Sequence, residues 1–332
     1  MLNSNPSRIV FGLSLILGTL IAISSNSWFT SWLGLELNLL SFIPIISSSF
    51  NSYSSEAALK YFLIQALGSA IILISATSMT LFLTNPGLLI LGALLLKMGA
   101  APVHFWFPPI MQGIPWPQCV ILMTLQKIAP LFLVSYTLTT PMSSHMIQIS
   151  SGLSALTGAM GGLNQTLLRK ILAFSSINHI GWMLAAVSLS PNTLFTYLFI
   201  YSIVSSSLVL LLNSNQIFHF KQMSSIPNMK TKTFSFMALF SLGGLPPFLG
   251  FIPKLLVINF LSSSKELIWV LILLISSLIT LFYYTRIILT TLTLSTPKLK
   301  PILKGKSRAP LYVMSFINFT PLLFPLVSFH QF

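Results

Sequence analysis

Residues 87–107 read GLLILGALLLKMGAAPVHFWF, and Lys97 stands in the middle of them. Only apolar or small residues precede the lysine, and Gly99-Ala100-Ala101-Pro102 follows it within a turn. A soluble helix would place such a lysine on a polar face, but this run offers only His104 as a further polar position from which to build one. Its length matches the roughly 20 residues that a helix needs to cross a bilayer. A lysine at membrane depth costs about 2.5–3.5 kcal/mol on insertion scales, so it either snorkels to the surface or marks a polar path. Proline removes an intrahelical hydrogen bond and glycine loosens the backbone. Broken backbone at that depth persists only where protein or water satisfies the freed carbonyls. The same carbonyls and water stabilise an ammonium, so this stretch predicts a broken transmembrane helix beside an ion or proton path.

The rest of the chain agrees. Of 332 residues, 17 are Lys or Arg and only 3 are acidic, all of them Glu (Glu36, Glu56 and Glu266). Charged residues make up 6% of the chain, hydrophobic residues 54%, and the mean hydropathy is +0.88. Such a chain cannot form the charged skin that keeps a soluble domain dispersed, which excludes a cytosolic globular enzyme. The net charge of +14 would suit nucleic acid if the bases clustered on a polar face. Here long apolar runs separate them, so no nucleic-acid partner is expected. A single Cys119 excludes an internal disulfide and metal or iron–sulfur sites built from several thiolates. No GxGxxG or P-loop is present, so no nucleotide cradle is expected, and any linked redox chemistry belongs to other chains.

Eleven apolar segments can be read, over 9–25, 28–50, 56–83, 87–107, 116–138, 146–164, 168–188, 192–213, 234–261, 267–294 and 310–330. Polar, turn-forming separators divide them, such as Ser24-Ser25-Asn26-Ser27, Asn85-Pro86-Gly87, Thr139-Thr140-Pro141 and Ser190-Pro191-Asn192. The first segment lacks a small-residue cleavage pattern and is read as a retained helix. No linker interrupts the series, so the expectation is one domain over 1–332. Twelve bases fall on the side that holds the N-terminus: Arg8, Lys60, Arg169, Lys170, Lys221, Lys230, Lys232, Lys298, Lys300, Lys304, Lys306 and Arg308. Only Lys265, next to Glu266, falls opposite. That asymmetry is the positive-inside rule, and it places the N-terminus on the matrix or cytoplasmic face and the C-terminus opposite. In segment six, Ser154, Gly158 and Gly162 form a small-residue stripe suited to close helix packing.

Four bases remain inside the spans: Lys97, Lys127, Lys254 and Arg286, with Glu36 also in mid-span. Arg286 lies in the last third of its helix and reads as a snorkelling side chain. Lys254 follows Gly243-Gly244 and Pro246-Pro247, and Lys127 precedes Pro130. Three lysines beside helix-breaking residues predict a hydrated track near the midplane. Desolvation favours a neutral amine and a neighbouring carboxylate favours the ammonium, so opening or closing a Glu–Lys pair loads or unloads a proton. Glu36 is the one acid within the spans, and were it to meet Lys97 the two would titrate as a pair. His179, with an imidazole that ordinarily titrates near 6.5, is a candidate relay; the alternative is a hydrogen-bonded polar helix residue. His104 is read as interfacial.

Four stretches resemble one family: WLGLELNLLSFIP (Trp32 to Pro44), LLLKMGAAPVHFWFP (Leu94 to Pro108), GGLNQTLLRKILAFSSINHIGWM (Gly161 to Met183) and SLGGLPPFLGFIPK (Ser241 to Lys254). The chain resembles the chain 2 family of mitochondrial NADH–ubiquinone oxidoreductase, the antiporter-like membrane subunit of respiratory complex I in its animal form. The resemblance implies an all-α polytopic protein of about eleven transmembrane helices, two of them broken mid-membrane. It implies proton translocation through Glu36, Lys97, Lys127 and Lys254 while other subunits carry NADH, FMN, iron–sulfur clusters and ubiquinone, with no cofactor on this chain. In that picture Glu36 partners Lys97 and couples the channel to its neighbours, protons reach Lys127 from the matrix, and they leave past Lys254. The implied partners are the other membrane-arm core subunits, a neighbouring antiporter-like subunit among them, together with accessory subunits and the lipid of the mitochondrial inner membrane, cardiolipin being a candidate.

Two positions depart from the family pattern. Pro109 stands where an acidic or amide residue often follows the HFWxP element, and Leu125 stands where Trp usually precedes the QK motif. Two rival readings are a free-standing cation/proton antiporter and a structural membrane spacer. The spacer does not explain lysines placed beside helix breaks, and the antiporter lacks an extra acid for a metal cation.

Overall fold

The polar separators of the sequence become helix starts. Thr140 accepts a hydrogen bond on its side chain from the Ser143 backbone N–H at 3.3 Å, and Ser190 does the same for Thr193 at 3.3 Å. Each is followed by a proline in the first turn, where the missing N–H would have had no partner anyway. The computed structural model describes residues 6–47, 51–80, 86–138, 140–226, 229–293 and 318. Among the described residues the elements are α1 (Pro6–Ser24), α2 (Trp28–Ser47), α3 (Ser52–Thr80), α4 (Pro86–Met98), α5 (Phe107–Gly113), α6 (Trp116–Met123), α7 (Leu125–Thr137), α8 (Pro141–Gly162), α9 (Leu168–Leu189) and α10 (Pro191–Asn215). A short 3₁₀ turn, Phe220–Ser225, precedes α11 (Met229–Gly243), α12 (Phe251–Ser263) and α13 (Leu267–Thr293).

Seven of these stretches are long and apolar enough to cross a membrane: α1, α2, α3, α6 with α7, α9, α10 and α13. The shorter apolar α4 and α12 belong to interrupted segments. The expected segment over 310–330 lies outside the described residues apart from Asn318, whose amide donates to the Ser207 hydroxyl at 3.1 Å. The outer helices turn apolar side chains outward, as Leu13, Leu17 and Leu20 do on α1 and Leu271, Ile275 and Leu278 do on α13. By contrast α9 is buried along almost its whole length, so it is the central post of the bundle.

In a bilayer, helices associate through close packing and internal hydrogen bonds, because the lipid tails are as apolar as leucine. The small-residue stripe of α8 provides that packing. A methyl at Gly158 would sit 2.6 Å from the Phe174 carbonyl of α9, and one at Gly181 of α9 would sit 2.7 Å from the Ser151 carbonyl of α8. The two backbones therefore touch at a crossing with no room for a Cβ.

Two of the basic residues expected on one face share a cavity. Lys60 and Arg169 line a common cavity of about 430 Å³ with Glu56 and Gln112. Arg169 donates to the Gln112 carbonyl at 2.9 Å, and its guanidinium lies 4.5 Å from the Phe218 ring. A short antiparallel bridge between Leu167 and His219 joins the start of α9 to the segment that leads to Lys221.

Candidate functional site

The segment that carries Lys97 breaks where the sequence predicts. Gly99 takes φ +75°, a left-handed conformation that glycine adopts without strain, and the Ala100 N–H turns back to the Leu95 carbonyl at 3.0 Å. Two neutral side chains then satisfy the carbonyls at the break. Trp106 Nε1 donates to the Leu96 carbonyl, and Gln65 Nε2 of α3 donates to the Lys97 carbonyl, each at 3.1 Å. The lysine stem runs in a groove beside Gly68 of α3, where an added methyl would lie 3.0 Å from Lys97 Cγ. Lys97 is 6% exposed, and its ammonium has no hydrogen-bond partner among the described residues. Glu36 stands half-buried on α2 and acts electrostatically on Lys97, but no N···O contact within 4.0 Å joins them.

Lys127 is 1% exposed on α7. The sequence reading tied it to Pro130, but the interruption lies before the lysine. Thr124, at φ −113° and ψ −77°, separates α6 from α7, while Pro130 sits inside the continuous helix α7. This is a third, milder break beside the two expected ones. It lifts Lys127 into the first turn of α7, from which Nζ reaches the Ser176 carbonyl of α9 at 3.2 Å. The rings of Tyr201 and Phe107 flank the ammonium at 5.1 and 5.4 Å, within cation–π range.

The α11–α12 break repeats the glycine device. Gly244 takes φ +80°, and its N–H and that of Leu245 both return to the Phe240 carbonyl, at 3.0 and 3.3 Å. Here the lysine itself meets a freed carbonyl: Lys254 Nζ donates to Gly243 at 2.9 Å and lies 5.6 Å from the Trp182 ring. Lys254 is 4% exposed. No carboxylate acts on Lys127 or Lys254 among the described residues. A lysine with neutral partners only can give up its proton without leaving an unpaired carboxylate behind.

Helix α9 connects the two. Ser176 receives Lys127, Trp182 faces Lys254, and His179 between them acts electrostatically with both lysines. His179 Nδ1 is hydrogen-bonded to the Tyr197 hydroxyl of α10 at 2.9 Å, and its ring lies 4.8 Å from that of Tyr201. A void of about 10 Å³ bounded by His179, Tyr197, Tyr201, Leu242 and Pro253 is about the least space one water occupies.

Comparison with known proteins places this arrangement in a family. The family described as NADH:quinone oxidoreductase/Mrp antiporter, transmembrane, matches residues 25–87 and 78–280. NADH-ubiquinone oxidoreductase chain 2 of Anopheles gambiae is 46% identical over 323 residues, covering 94% of this chain and 93% of the mosquito protein. The chain 2 protein of Aedes aegypti is 47% identical over 291 residues, covering 84% of each. The chain belongs to the NADH–ubiquinone oxidoreductase chain 2 family. Its fold is the antiporter-like one: a chain of respiratory complex I from Thermus thermophilus superposes with a TM-score of 0.83 at 24% identity, covering 95% of this chain and 77% of that one.

Set against this family, the structure sorts the residues singled out in the sequence. Lys127, His179 and Lys254 converge on one side of α9, and Lys97 with Glu36 forms a separate group on α2, α3 and α4. Arg286 joins neither, since it donates to the Leu163 carbonyl and at 3.4 Å to the Gln165 carbonyl, closing the end of α8. His104, read as interfacial, is buried and lies 4.4 Å from the Phe105 ring. At the Pro109 departure the polar wall of the adjoining cavity comes from Gln112, Glu56 and Arg169 instead. Sequence reasoning missed Gln65, Trp106, Tyr197 and Tyr201. The spacing of Gln65 from Lys97 carries no signal, whereas a tyrosine pair one turn apart on an apolar helix is a pattern that could have been weighed.

Proposed function

We propose that this chain is a proton-translocating membrane subunit of NADH:ubiquinone oxidoreductase in the mitochondrial inner membrane. NADH, FMN, iron–sulfur clusters and ubiquinone belong to other subunits. The neighbours are membrane-arm core subunits, including another antiporter-like chain, with accessory subunits and lipid such as cardiolipin around them. The N-terminus faces the matrix and the C-terminus the intermembrane space, in keeping with the charge asymmetry described above. Protons enter from the matrix to Lys127, pass by way of His179 to Lys254, and leave to the intermembrane space. Glu36 and Lys97 form the group that exchanges charge with the neighbouring subunit.

One observation carries this reading: two buried lysines reach into the same helix, α9, with His179 between them and no carboxylate to hold their protons. Buried ionisable groups in a membrane helix are retained for transport because each is costly to insert. Replacing Lys127 by methionine tests it. In the assembled complex, in sealed vesicles, Lys127→Met should lower proton translocation and the coupled reduction of quinone by roughly a hundredfold, the lower end of what positioned proton transfer contributes. Normal pumping at normal assembly would remove Lys127 from the path. A free-standing antiporter would not copurify with flavin and iron–sulfur subunits, so copurification separates the two readings.

A further inference from the structure

Gln126 stands immediately before Lys127 in the first turn of α7. Its amide is held from two sides: Oε1 accepts from the Tyr61 hydroxyl of α3 at 3.0 Å, and Nε2 donates to Asn38 Oδ1 of α2 at 2.8 Å. Asn38 and Tyr61 are both buried. The first turn of α7 has no side-chain cap and follows the interruption at Thr124, so local backbone bonding leaves its position weakly fixed. The amide supplies what the backbone does not.

The two helices it grips are not arbitrary. Asn38 lies two residues from Glu36 on α2. Tyr61 lies one turn before Gln65, the residue that holds the Lys97 carbonyl at its break. One half-buried amide therefore touches the helix of the sole mid-span acid and the helix that braces Lys97, and it adjoins Lys127. Losing either bond leaves a buried polar group unpaired, which makes the link stiff rather than slack.

We infer that Asn38, Gln126 and Tyr61 are positioning residues that couple the Glu36–Lys97 group to Lys127. They fix the first turn of α7 relative to α2 and α3, so a shift of α2 or α3 changes the distance between Lys127 Nζ and the Ser176 carbonyl. The inference rests on the proton-translocation reading above.

The test uses the assembled complex in sealed vesicles, with proton translocation measured per complex at matched content. Gln126→Met keeps the volume and removes both bonds; Tyr61→Phe removes one of them and adds no charge beside Lys127. Gln126→Met should lower pumping per complex by roughly tenfold, since small misplacements of a reacting group cost that much or more. Tyr61→Phe should lower it by less, because the bond to Asn38 remains. A purely structural role would lower the amount of assembled complex without moving the turnover of what assembles. Should Gln126→Met fail to assemble, Tyr61→Phe, which deletes one hydroxyl, decides the matter through the same turnover measurement. Unchanged turnover in Gln126→Met or, where that variant does not assemble, in Tyr61→Phe overturns the link. If Lys127→Met itself pumps normally, the transport reading falls and the link falls with it; if only the Gln126 and Tyr61 variants pump normally, the link alone falls.

Discussion

The two glycine breaks use one backbone device for opposite ends. At Gly99 and at Gly244 a helix stops on a positive φ and folds its next N–H groups back onto the last turn. Lys97 comes before its break, and Gln65 and Trp106, both uncharged, take the exposed carbonyls. Among the described residues the lysine is left without a hydrogen-bond partner, and it lies within the field of Glu36. Lys254 comes after its break, and its own ammonium takes the Gly243 carbonyl. The difference separates two duties. At the first break the lysine is spared structural work and can respond to a counter-charge on α2. At the second the proton-bearing group is also a fastener of the backbone, so protonation and helix geometry are tied together.

The largest test of that contrast is a pair of deletions. Lys97→Met and Lys254→Met should each lower proton translocation by roughly a hundredfold. Only Lys254→Met should also lower the thermal stability of the assembled complex, by about 1–3 kcal/mol, because Gly243 loses its donor. Equal melting temperatures for the two variants would show that the Lys254 contact carries no structural load. A middle-sized test adds a methyl at each glycine. Both positions demand a left-handed residue, at about 1–2 kcal/mol for alanine. At Gly244 the methyl would also lie 2.9 Å from Lys254 Nζ, whereas at Gly99 its nearest neighbours are ring and side-chain carbons of Trp106 and Phe107 at 3.3 Å. Gly244→Ala should therefore impair pumping as well as stability, and Gly99→Ala stability alone; turnover per assembled complex separates them. The smallest effect is expected from Gln65→Leu, which unpairs the Lys97 carbonyl. It should cost about 0.5–1.5 kcal/mol in a thermal melt, the net worth of one hydrogen bond, while turnover stays within about twofold.

Much of this was legible in the sequence because hydropathy and turn residues act locally. Gly, Pro and Ser separators mark the helix ends, and Lys97, Lys127 and Lys254 announce themselves by their cost in apolar runs. The position of the α6–α7 interruption was not legible. Pro130 looked like the breaker, but a proline can stay within a helix whose freed groups are satisfied nearby, and Thr124 carries no strong signal. The neutral part of the site was hidden for a different reason. Asn38, Tyr61 and Gln126 meet across 65 and 88 residues of chain, and the sequence supplies no charge or periodicity to pair them. The spacing of Glu36 and Lys97 likewise depends on how α2, α3 and α4 pack.

The close crossing of α8 and α9 has a mechanical consequence. Gly158 and Gly181 leave no space at the contact, and α9 has hardly any surface turned toward lipid. A rod pinned in this way cannot slide or roll without first parting from its neighbour, because a packed interior resists such motion. Ser176, His179 and Trp182 thus sit on a fixed post, and the lysine-bearing helices α7 and α12 each begin just after an interruption of the backbone. Among the described residues the backbone is open beside all three buried lysines, at Gly99, Thr124 and Gly244.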